Sequence, residues 1–175
     1  MSFLSGIRHL FSKDKSFVRA LRNLLGFTPR NLSLYHLAFK HRSTAEEHPS
    51  GIKMSNERLE YLGDAVLGAI IAEHLFKRFP FREEGFLTEM RSRLVNREQL
   101  NKLAVKIGVD RFMQNSIDPG AKNRSAYGDA FEALIGAVYL DQGYNVTRNL
   151  VLSRIFRHHI DVDVIEQTDS NFKSK

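Results

Sequence analysis

The most informative absence in this 175-residue sequence is that of cysteine. Without thiols the chain has no disulfide bond, no thiolate zinc site and no cysteine nucleophile, because each of these needs a sulfur atom. A chain without cysteine also suits a reducing compartment. We therefore expect a cytoplasmic protein.

Long apolar runs are also missing. No segment reaches the roughly 18 to 20 consecutive apolar residues that a membrane-spanning helix needs. The segment from Met1 to Phe11 interrupts its apolar residues with Ser, Gly, Arg and His, unlike the continuous apolar stretch of a secretory signal. We expect a soluble protein that is not exported and has no membrane partner.

A third missing pattern is the sustained alternation of apolar and polar residues that marks a half-buried strand. Because no segment shows it between turn signals, the sequence predicts an all-α fold with negligible strand content. The length and a hydrophobic share of 42% suit one packed domain, which we assign to residues 1–160. The polar tail at residues 161–175 is interpreted as a linker or, equally well, as a frayed terminus.

The chain does have an excess of positive charge. Its formal net charge is +6 and its pI is about 9.7. This balance favours phosphate-bearing partners such as nucleic acid, because cations that neutralise phosphates release condensed counterions. Many basic proteins bind no nucleic acid, so the charge alone is a weak indication.

Apolar residues recur at helical spacing in several segments that end near glycine or proline. Ser55 is a candidate cap for one helix, Asn96 with Gln99 forms a capping box for another, and Gly26 and Gly108 are expected helix stops. Loops are expected at residues 43–53 and 118–125. The predicted helices cover about residues 15–26, 33–41, 56–78, 86–95, 96–107, 127–140 and 146–159.

Two of these helices carry acidic residues among apolar neighbours. Glu60 and Asp64 are four residues apart, and Asp129 and Glu132 are three apart, so each pair shares one helix face. Glu57 extends the first row by one turn. Burying uncompensated carboxylates costs on the order of several kcal/mol. Carboxylates that converge from two crossing helices would supply hard oxygen ligands, which suit Mg²⁺ or Mn²⁺ rather than zinc.

A plainer interpretation exists for each acid alone, since a helical Asp or Glu is usually a solvated surface residue and this basic chain offers salt-bridge partners. The two pairs together favour the metal site. The residues around Asp129 and Glu132 are apolar and leave no exposed charged face. A cation bound there would polarise a phosphoryl oxygen or activate a water molecule.

One segment carries a family resemblance. The run NERLEYLGDAVL at residues 56–67 resembles the signature of the ribonuclease III family. Further matching segments follow the family's order, with HRS at 41–43, EG at 84–85, LV at 94–95 and GDAFEALIGAVYLD at 128–141. The resemblance covers about residues 15–160, which is most of the chain.

The resemblance implies an all-α endonuclease domain that dimerises and cuts double-stranded RNA with Mg²⁺, for which Mn²⁺ can substitute. Products with 5′-phosphate and 3′-hydroxyl ends, and roles in ribosomal and messenger RNA processing, are implied as well. The positions that match the family's metal-binding and catalytic acids are Glu60, Asp64, Asp129 and Glu132.

Other matching positions have supporting roles. Glu57 and Glu84 match further family acids near the cleft. Tyr61 stands where Phe is common and matches an aromatic residue that packs into the partner subunit, so its hydroxyl needs a hydrogen-bond partner or water there. Residues 169–175 are similar to the opening of a double-stranded-RNA-binding domain, which suggests a truncated further module after the linker.

Basic and polar side chains near the acids are candidate RNA contacts. A-form RNA hides its major-groove edges, so such contacts would go to phosphates and 2′-hydroxyls. Each candidate is on its own more simply a solvated side chain, and His41, His158 and His159 are interpreted as structural. The candidates are Lys122, Asn123, Arg124, Arg91 and Arg93.

Three other functions stay open at this point. A catalytically silent scaffold would bind double-stranded RNA without cutting it, although all four acids are present. A compact family variant without an RNA-binding domain would trim ribosomal RNA precursors. A metal-dependent nucleotide phosphohydrolase belongs to a different enzyme class, and such helical enzymes usually add histidine ligands that these two acidic pairs lack.

Overall fold

The computed structural model describes residues 3–49, 51, 53–113 and 126–160. These residues confirm the all-α prediction, because they contain no strand beyond one isolated antiparallel bridge between Glu47 and Lys53. The α-helices are α1 (Phe3–Leu25), α2 (Leu32–Ala38), α3 (Glu57–Arg78), α4 (Glu84–Leu94), α5 (Arg97–Ile107), α6 (Ala126–Gln142), α7 (Tyr144–Asn149) and α8 (Arg157–His159). Short 3₁₀ helices cover Arg42–Thr44 and Val109–Phe112, and Leu150–Phe156 is a π-helix.

The core is built around α6. This helix is apolar on nearly every side, as a helix surrounded by protein must be. It contacts α2, α3, α5 and α7. Phe131, Leu134 and Ile135 of α6 are fully buried, as are Ile70 and Ile71 of α3. The helix that carries the second acidic pair therefore lies in the centre of the domain.

Two glycines let α3 and α6 cross with their backbones in contact. A Cβ atom on Gly63 would overlap the carbonyl oxygen of Glu132 and lie 2.9 Å from the backbone nitrogen of Gly136. A Cβ atom on Gly136 would overlap the carbonyl oxygen of Leu59. Because real Cβ atoms do not approach backbone this closely, only glycine fits at either position. The crossing fixes the positions of the acidic residues on both helices.

Most helix ends agree with the predicted caps. The side chain of Asn96 accepts a hydrogen bond from the backbone N–H of Gln99, and α5 stops at Gly108 in the left-handed conformation. Gly26 has a φ of +84° directly after α1. At the start of α3 the N-cap residue is Asn56, while the Ser55 hydroxyl lies 3.5 Å from the backbone nitrogen of Glu57.

Two predicted helices differ in extent or type. The helix expected over residues 33–41 ends at Ala38, because the chain turns so that the Lys40 carbonyl accepts a hydrogen bond from Asn56 N–H. The helix expected from residue 146 starts at Tyr144 and widens into a π-helix, which apolar periodicity does not reveal. The predicted loop at 118–125 and the tail at 161–175 lie outside the described residues.

Asp141 anchors the loop before α2 to the C-terminal end of α6. Its carboxylate accepts hydrogen bonds from the backbone N–H groups of Arg30 (3.0 Å) and Asn31 (2.8 Å) and from the Tyr35 hydroxyl (2.8 Å). The Tyr35 ring is fully buried in the core. One carboxylate thus pairs with two backbone donors of the loop and with the hydroxyl of a buried ring. In the described part of the chain, every helix is too short or too polar to cross a membrane.

Candidate metal centre

Three of the four predicted acids converge at the crossing of α3 and α6. One carboxylate oxygen from each of Glu60, Asp129 and Glu132 lies within 4.8 Å of the other two. All three side chains are partly buried. The sequence predicts that both acidic pairs meet across two helices, and the structure brings Glu60 of the first pair together with Asp129 and Glu132 of the second.

The local sequence explains why they meet. Asp129 and Glu132 are three residues apart and so project from one face of α6. Glu60 lies one turn before Gly63, at the point where the two glycines let the helix backbones touch. A wider crossing with ordinary side chains in the interface would separate Glu60 from the acids of α6.

Asp64 and Glu57 lie at the edges of this group. Asp64 lines the same cleft but is exposed and does not join the three-carboxylate cluster. Glu57 is held by other groups, because its two carboxylate oxygens pair with Arg42 at 2.8 Å and with the Ser55 hydroxyl at 3.0 Å.

The acids line an open cleft of about 500 Å³. We call it the acidic cleft. Its remaining lining comes from α3, the end of α4, α5 and the start of α6, and among the described residues Arg97 is its one cationic member. The acidic cleft is bounded by Glu57, Glu60, Tyr61, Asp64, Val95, Arg97, Leu100, Gly128, Asp129 and Glu132.

Burial and electrostatic repulsion in the cleft raise two pKa values. Burial, followed by the negative charges of Asp64, Glu60 and Asp129, raises the pKa of Glu132 to about 8, although the positive charge of Arg97 acts in the opposite direction. Burial, followed by the charges of Asp129 and Glu57, also raises the pKa of Glu60. Part of the cluster is therefore protonated near neutral pH when no cation neutralises it.

These donors fit a hard divalent cation. The cluster offers carboxylate oxygens and no nitrogen or sulfur ligand among the described residues, a set that favours Mg²⁺, Mn²⁺ or Ca²⁺ over zinc. Raised carboxyl pKa values indicate negative charge that the protein leaves uncompensated. A cation would relieve this repulsion and displace the bound proton.

Sequence reasoning missed two residues that help to build the site. The side-chain oxygen of Asn101 accepts a hydrogen bond from Gly128 N–H at 2.8 Å and so holds the first turn of α6 against α5. Arg97 supplies positive charge to the acidic cleft. Neither residue is conspicuous in sequence, because both depend on how α5 docks. The helix crossing did have a sign in the sequence, which is the glycine at position 63 inside the helix.

Other predicted residues lie elsewhere or outside the described chain. Of the described residues, those that line the acidic cleft do not include Glu84, Arg91 or Arg93. Glu84 accepts a hydrogen bond from the Thr88 hydroxyl, and Arg93 pairs with Glu89 on the same helix. Lys122, Asn123 and Arg124 fall in the undescribed segment 114–125.

Two further predictions concern Tyr61 and His41. Tyr61 is 82% exposed beside the acidic cleft. His41 acts structurally, as expected, because its ring nitrogen accepts a hydrogen bond from Ser43 N–H at the start of the 3₁₀ helix.

Comparison with known proteins gives a consistent result. Residues 31–159 match the family model described as Ribonuclease-III-like. The chain is 47% identical over 169 residues to ribonuclease 3 of Bacteroides thetaiotaomicron, covering 97% of this chain and 54% of that protein. It is 43% identical over 175 residues to ribonuclease 3 of Azobacteroides pseudotrichonymphae, covering 99% of this chain and 66% of the relative. The chain thus spans about half to two thirds of the length of these relatives.

Solved structures agree with the sequence matches. The nuclease domain of ribonuclease III from Campylobacter jejuni, in a structure concerned with flexibility in its region involved in dimer formation, superposes with a TM-score of 0.69. It is 30% identical, and the match covers 81% of this chain and 98% of that domain. Dicer from Pichia stipitis superposes with a TM-score of 0.55 at 28% identity, covering 75% of this chain and 56% of that one. The chain therefore belongs to the ribonuclease-III-like family.

Proposed function

We propose that this chain is the catalytic domain of a ribonuclease III that hydrolyses phosphodiester bonds in double-stranded RNA. The observation that carries the proposal is the cluster of Glu60, Asp129 and Glu132, whose carboxylate oxygens lie within 4.8 Å of one another in an open cleft. Family membership supports the same reaction. The domain is proposed to cover residues 1–160.

Mg²⁺ is the proposed cofactor, with Mn²⁺ as a substitute. The proposed ligands are Glu60, Asp129 and Glu132 of the cluster, together with Asp64 at its edge. When bound, the cation would neutralise charge on the scissile phosphate and lower the pKa of a water molecule. The proposed catalytic set also includes Asp64, whose exposed carboxylate lines the cleft and can accept a hydrogen bond from water. Expected products carry 5′-phosphate and 3′-hydroxyl ends.

The shape of the cleft favours a polymer over a small molecule. A cleft of about 500 Å³ that opens to solvent admits a backbone phosphate while the rest of a duplex stays outside. The net charge of +6 favours a polyanion. We propose double-stranded precursors of ribosomal and messenger RNA as substrates. Lys122, Asn123, Arg124, Arg91 and Arg93 remain proposed RNA contacts, and Glu84 remains a proposed supporting acid.

We also propose a homodimer. Tyr61 exposes 82% of its surface and Met54 exposes 45%, and aromatic residues and methionine are enriched in protein interfaces relative to the rest of the surface. The Tyr61 ring would pack against a second copy, with its hydroxyl at the wet edge of the interface. A cytoplasmic location is proposed because the chain has no cysteine that would need an oxidising compartment.

The alternatives have less support. A helical nucleotide phosphohydrolase would usually add histidine ligands, whereas the cluster found among the described residues is made of carboxylates alone. A silent scaffold would have no use for crowded, partly buried carboxylates, whose burial and mutual repulsion raise the pKa of Glu132 to about 8.

Incubation with long duplex RNA tests the proposed function. We expect cleavage with Mg²⁺ and binding without cleavage with Ca²⁺. Glu132→Gln should abolish cleavage while the fold is retained, because the amide keeps the shape and removes a ligand charge. The matched control is Glu98→Gln, an exposed residue of α5 paired with Lys102, which should cut normally. Full turnover by Glu132→Gln, or duplex binding by the wild type without cleavage in Mg²⁺, would contradict the proposal.

A further inference from the structure

A second cavity lies on the C-terminal half of α1 and the turn after it. It has a volume of about 690 Å³. Its polar lining comes from Lys15, Arg19, Arg22, Asn23 and Thr28. We call it the α1 pocket. Nothing in the proposed reaction uses it.

The charge of the α1 pocket is almost entirely positive. None of the described residues that line it is acidic. Asp14, the nearest acid in sequence, lies 3.7 Å from the ring of His36 on α2. Residues 1–13 contain no Asp or Glu at all. The three cations therefore act together on any anion that enters.

Arg154 neutralises the partial negative charge at the C-terminal end of α1, which would otherwise weaken anion binding in the pocket. The C-terminus of a helix carries partial negative charge on its unpaired carbonyl groups. The Arg154 guanidinium donates hydrogen bonds to the carbonyl oxygens of Asn23 (2.6 Å) and Leu24 (2.8 Å), at the end of α1 beside the pocket. This compensates the helix end and leaves the potential in the pocket positive.

The spacing of the cations matches a polyanion better than a single phosphate. Lys15, Arg19 and Arg22 lie four and three residues apart on one exposed face of α1. At a helical rise of 1.5 Å per residue they span about 10 Å along the axis. Phosphates follow one another every few ångströms along a nucleic-acid strand, about 3.4 Å of helix axis in double-stranded DNA, so cations spread over this length can contact more than one phosphate. Asn23 and Thr28 add side chains that can hydrogen-bond to a 2′-hydroxyl or a phosphate.

The α1 pocket is well separated from the acidic cleft. The turn that ends in the pocket continues to Arg30 and Asn31, whose N–H groups bind Asp141 at the C-terminal end of α6. Asp129, in the acidic cleft, is near the N-terminal end of α6. It lies about 18 Å from Asp141 along the axis of that helix. The two sites share no lining residue, so an anion in the α1 pocket is not held by the acids of the cleft.

We propose that the α1 pocket is a second RNA-binding site, which holds a phosphodiester backbone through Lys15, Arg19 and Arg22. This proposal rests on the proposed function, because the site adds contacts with the same RNA that is cut in the acidic cleft. It contributes affinity and takes no part in the chemical step.

The test compares two double variants that lose the same charge. Arg19→Gln/Arg22→Gln removes two cations of the pocket, and Arg111→Gln/Arg157→Gln removes two exposed arginines outside it. Affinity for duplex RNA is measured across a salt series in Ca²⁺. The slope of log affinity against log salt should fall by about 2 in the pocket variant, one unit for each lost phosphate contact, and should change less in the control.

Cleavage kinetics in Mg²⁺ give a second readout. The pocket variant should show a KM for long duplex raised at least threefold with kcat unchanged within about twofold. Equal salt slopes in the two variants would overturn the proposed RNA site. If the wild type still cleaves duplex RNA, the proposed function would stand. A wild type that neither binds nor cuts duplex RNA would overturn both. Binding of poly-glutamate that depends on Arg19 and Arg22, without any effect on RNA, would identify an acidic protein surface as the ligand and overturn the proposal.

Discussion

The two ends of α6 treat their carboxylates in opposite ways. At the C-terminal end, burial raises the pKa of Asp141, but hydrogen bonds from Arg30, Gln142, Tyr35 and Asn31 outweigh it and hold that pKa below its ordinary value. At the N-terminal end, burial and neighbouring acids raise the pKa of Glu132 to about 8. The same helix therefore carries one fully compensated acid and one crowded, uncompensated group.

This difference separates structural acids from acids that wait for a ligand. Asp141 has donors for its charge within the protein, so its ionised form stabilises the fold. Glu132 has other carboxylates as its nearest charges, so its ionised form is stabilised only if a cation arrives. Both acids are partly buried, so burial does not explain why their pKa values move in opposite directions. The difference lies in the hydrogen-bond donors, which surround Asp141.

The largest expected effect is on the helix crossing that creates the acidic end. Gly63→Ala puts a methyl group on the carbonyl oxygen of Glu132, so α3 and α6 must move apart. We expect a loss of about 3 kcal/mol or more in the free energy of unfolding, measured by urea denaturation, and loss of cleavage in the remaining folded protein.

Gly68→Ala is the matched control for this variant. It lies in the same helix, and nothing lies within 4 Å of its added Cβ atom. It should be neutral or stabilising by about 0.5 to 1 kcal/mol, because glycine is a poor helix former. Equal stability of the two variants would contradict the close crossing.

The next effect concerns the compensated end. Asp141→Ala leaves the N–H groups of Arg30 and Asn31 and the buried Tyr35 hydroxyl without their acceptor. We expect a loss of about 2 kcal/mol in the free energy of unfolding. Cleavage per folded molecule should stay near that of the wild type, because the acidic cleft is at the other end of α6. A variant that folds normally but fails to cut would show that the two ends are coupled.

The smallest expected effect is the pH dependence of stability without metal. Glu132 has a folded pKa of about 8 against an ordinary value of 4.5, so the folded state binds more protons between these values. Its contribution is fully present below about pH 4.5 and is lost as the pH rises toward 8. In EDTA, the melting temperature of the wild type should fall over this window more than that of Glu132→Gln. Added Mg²⁺ should restore it most at the alkaline end.

A comparison at low pH sharpens this result. Asp141, with its lowered pKa, stabilises the fold above its ordinary value of 3.8 and loses that contribution as the pH falls through its folded pKa. On acidification the wild type should therefore lose more stability than Asp141→Ala. As the pH rises, in contrast, the wild type should lose more stability than Glu132→Gln. Parallel pH profiles for the two variants would contradict the assigned difference between the ends.

Much of the fold follows from local sequence signals. The helical spacing in α3, α5 and α6, and the capping residues Asn96 and Gly108, depend on a few neighbouring residues and so are visible in the chain itself. The π-helix at Leu150–Phe156 and the early end of α2 were not predicted, because each depends on contacts with distant segments.

The acidic pairs were visible in sequence for a different reason. Carboxylates on an apolar helix face cost free energy on folding. Glu60, Asp129 and Glu132 are therefore recognisable in the sequence as residues kept for another reason. The roles of Asn101 and Arg97 were not visible, because they act through the packing of α5 against α6. Sequence also treated Asp64 as equal to the other three acids, whereas it is the exposed member beside the cluster.

Anomalous scattering from a crystal soaked in Mn²⁺ tests the metal centre itself. We expect a strong peak within coordination distance of carboxylate oxygens from Glu60, Asp129 and Glu132, absent in Glu132→Gln at the same Mn²⁺ concentration. A wild-type crystal with no peak between these three side chains, or with its only peak at Asp141, would contradict it.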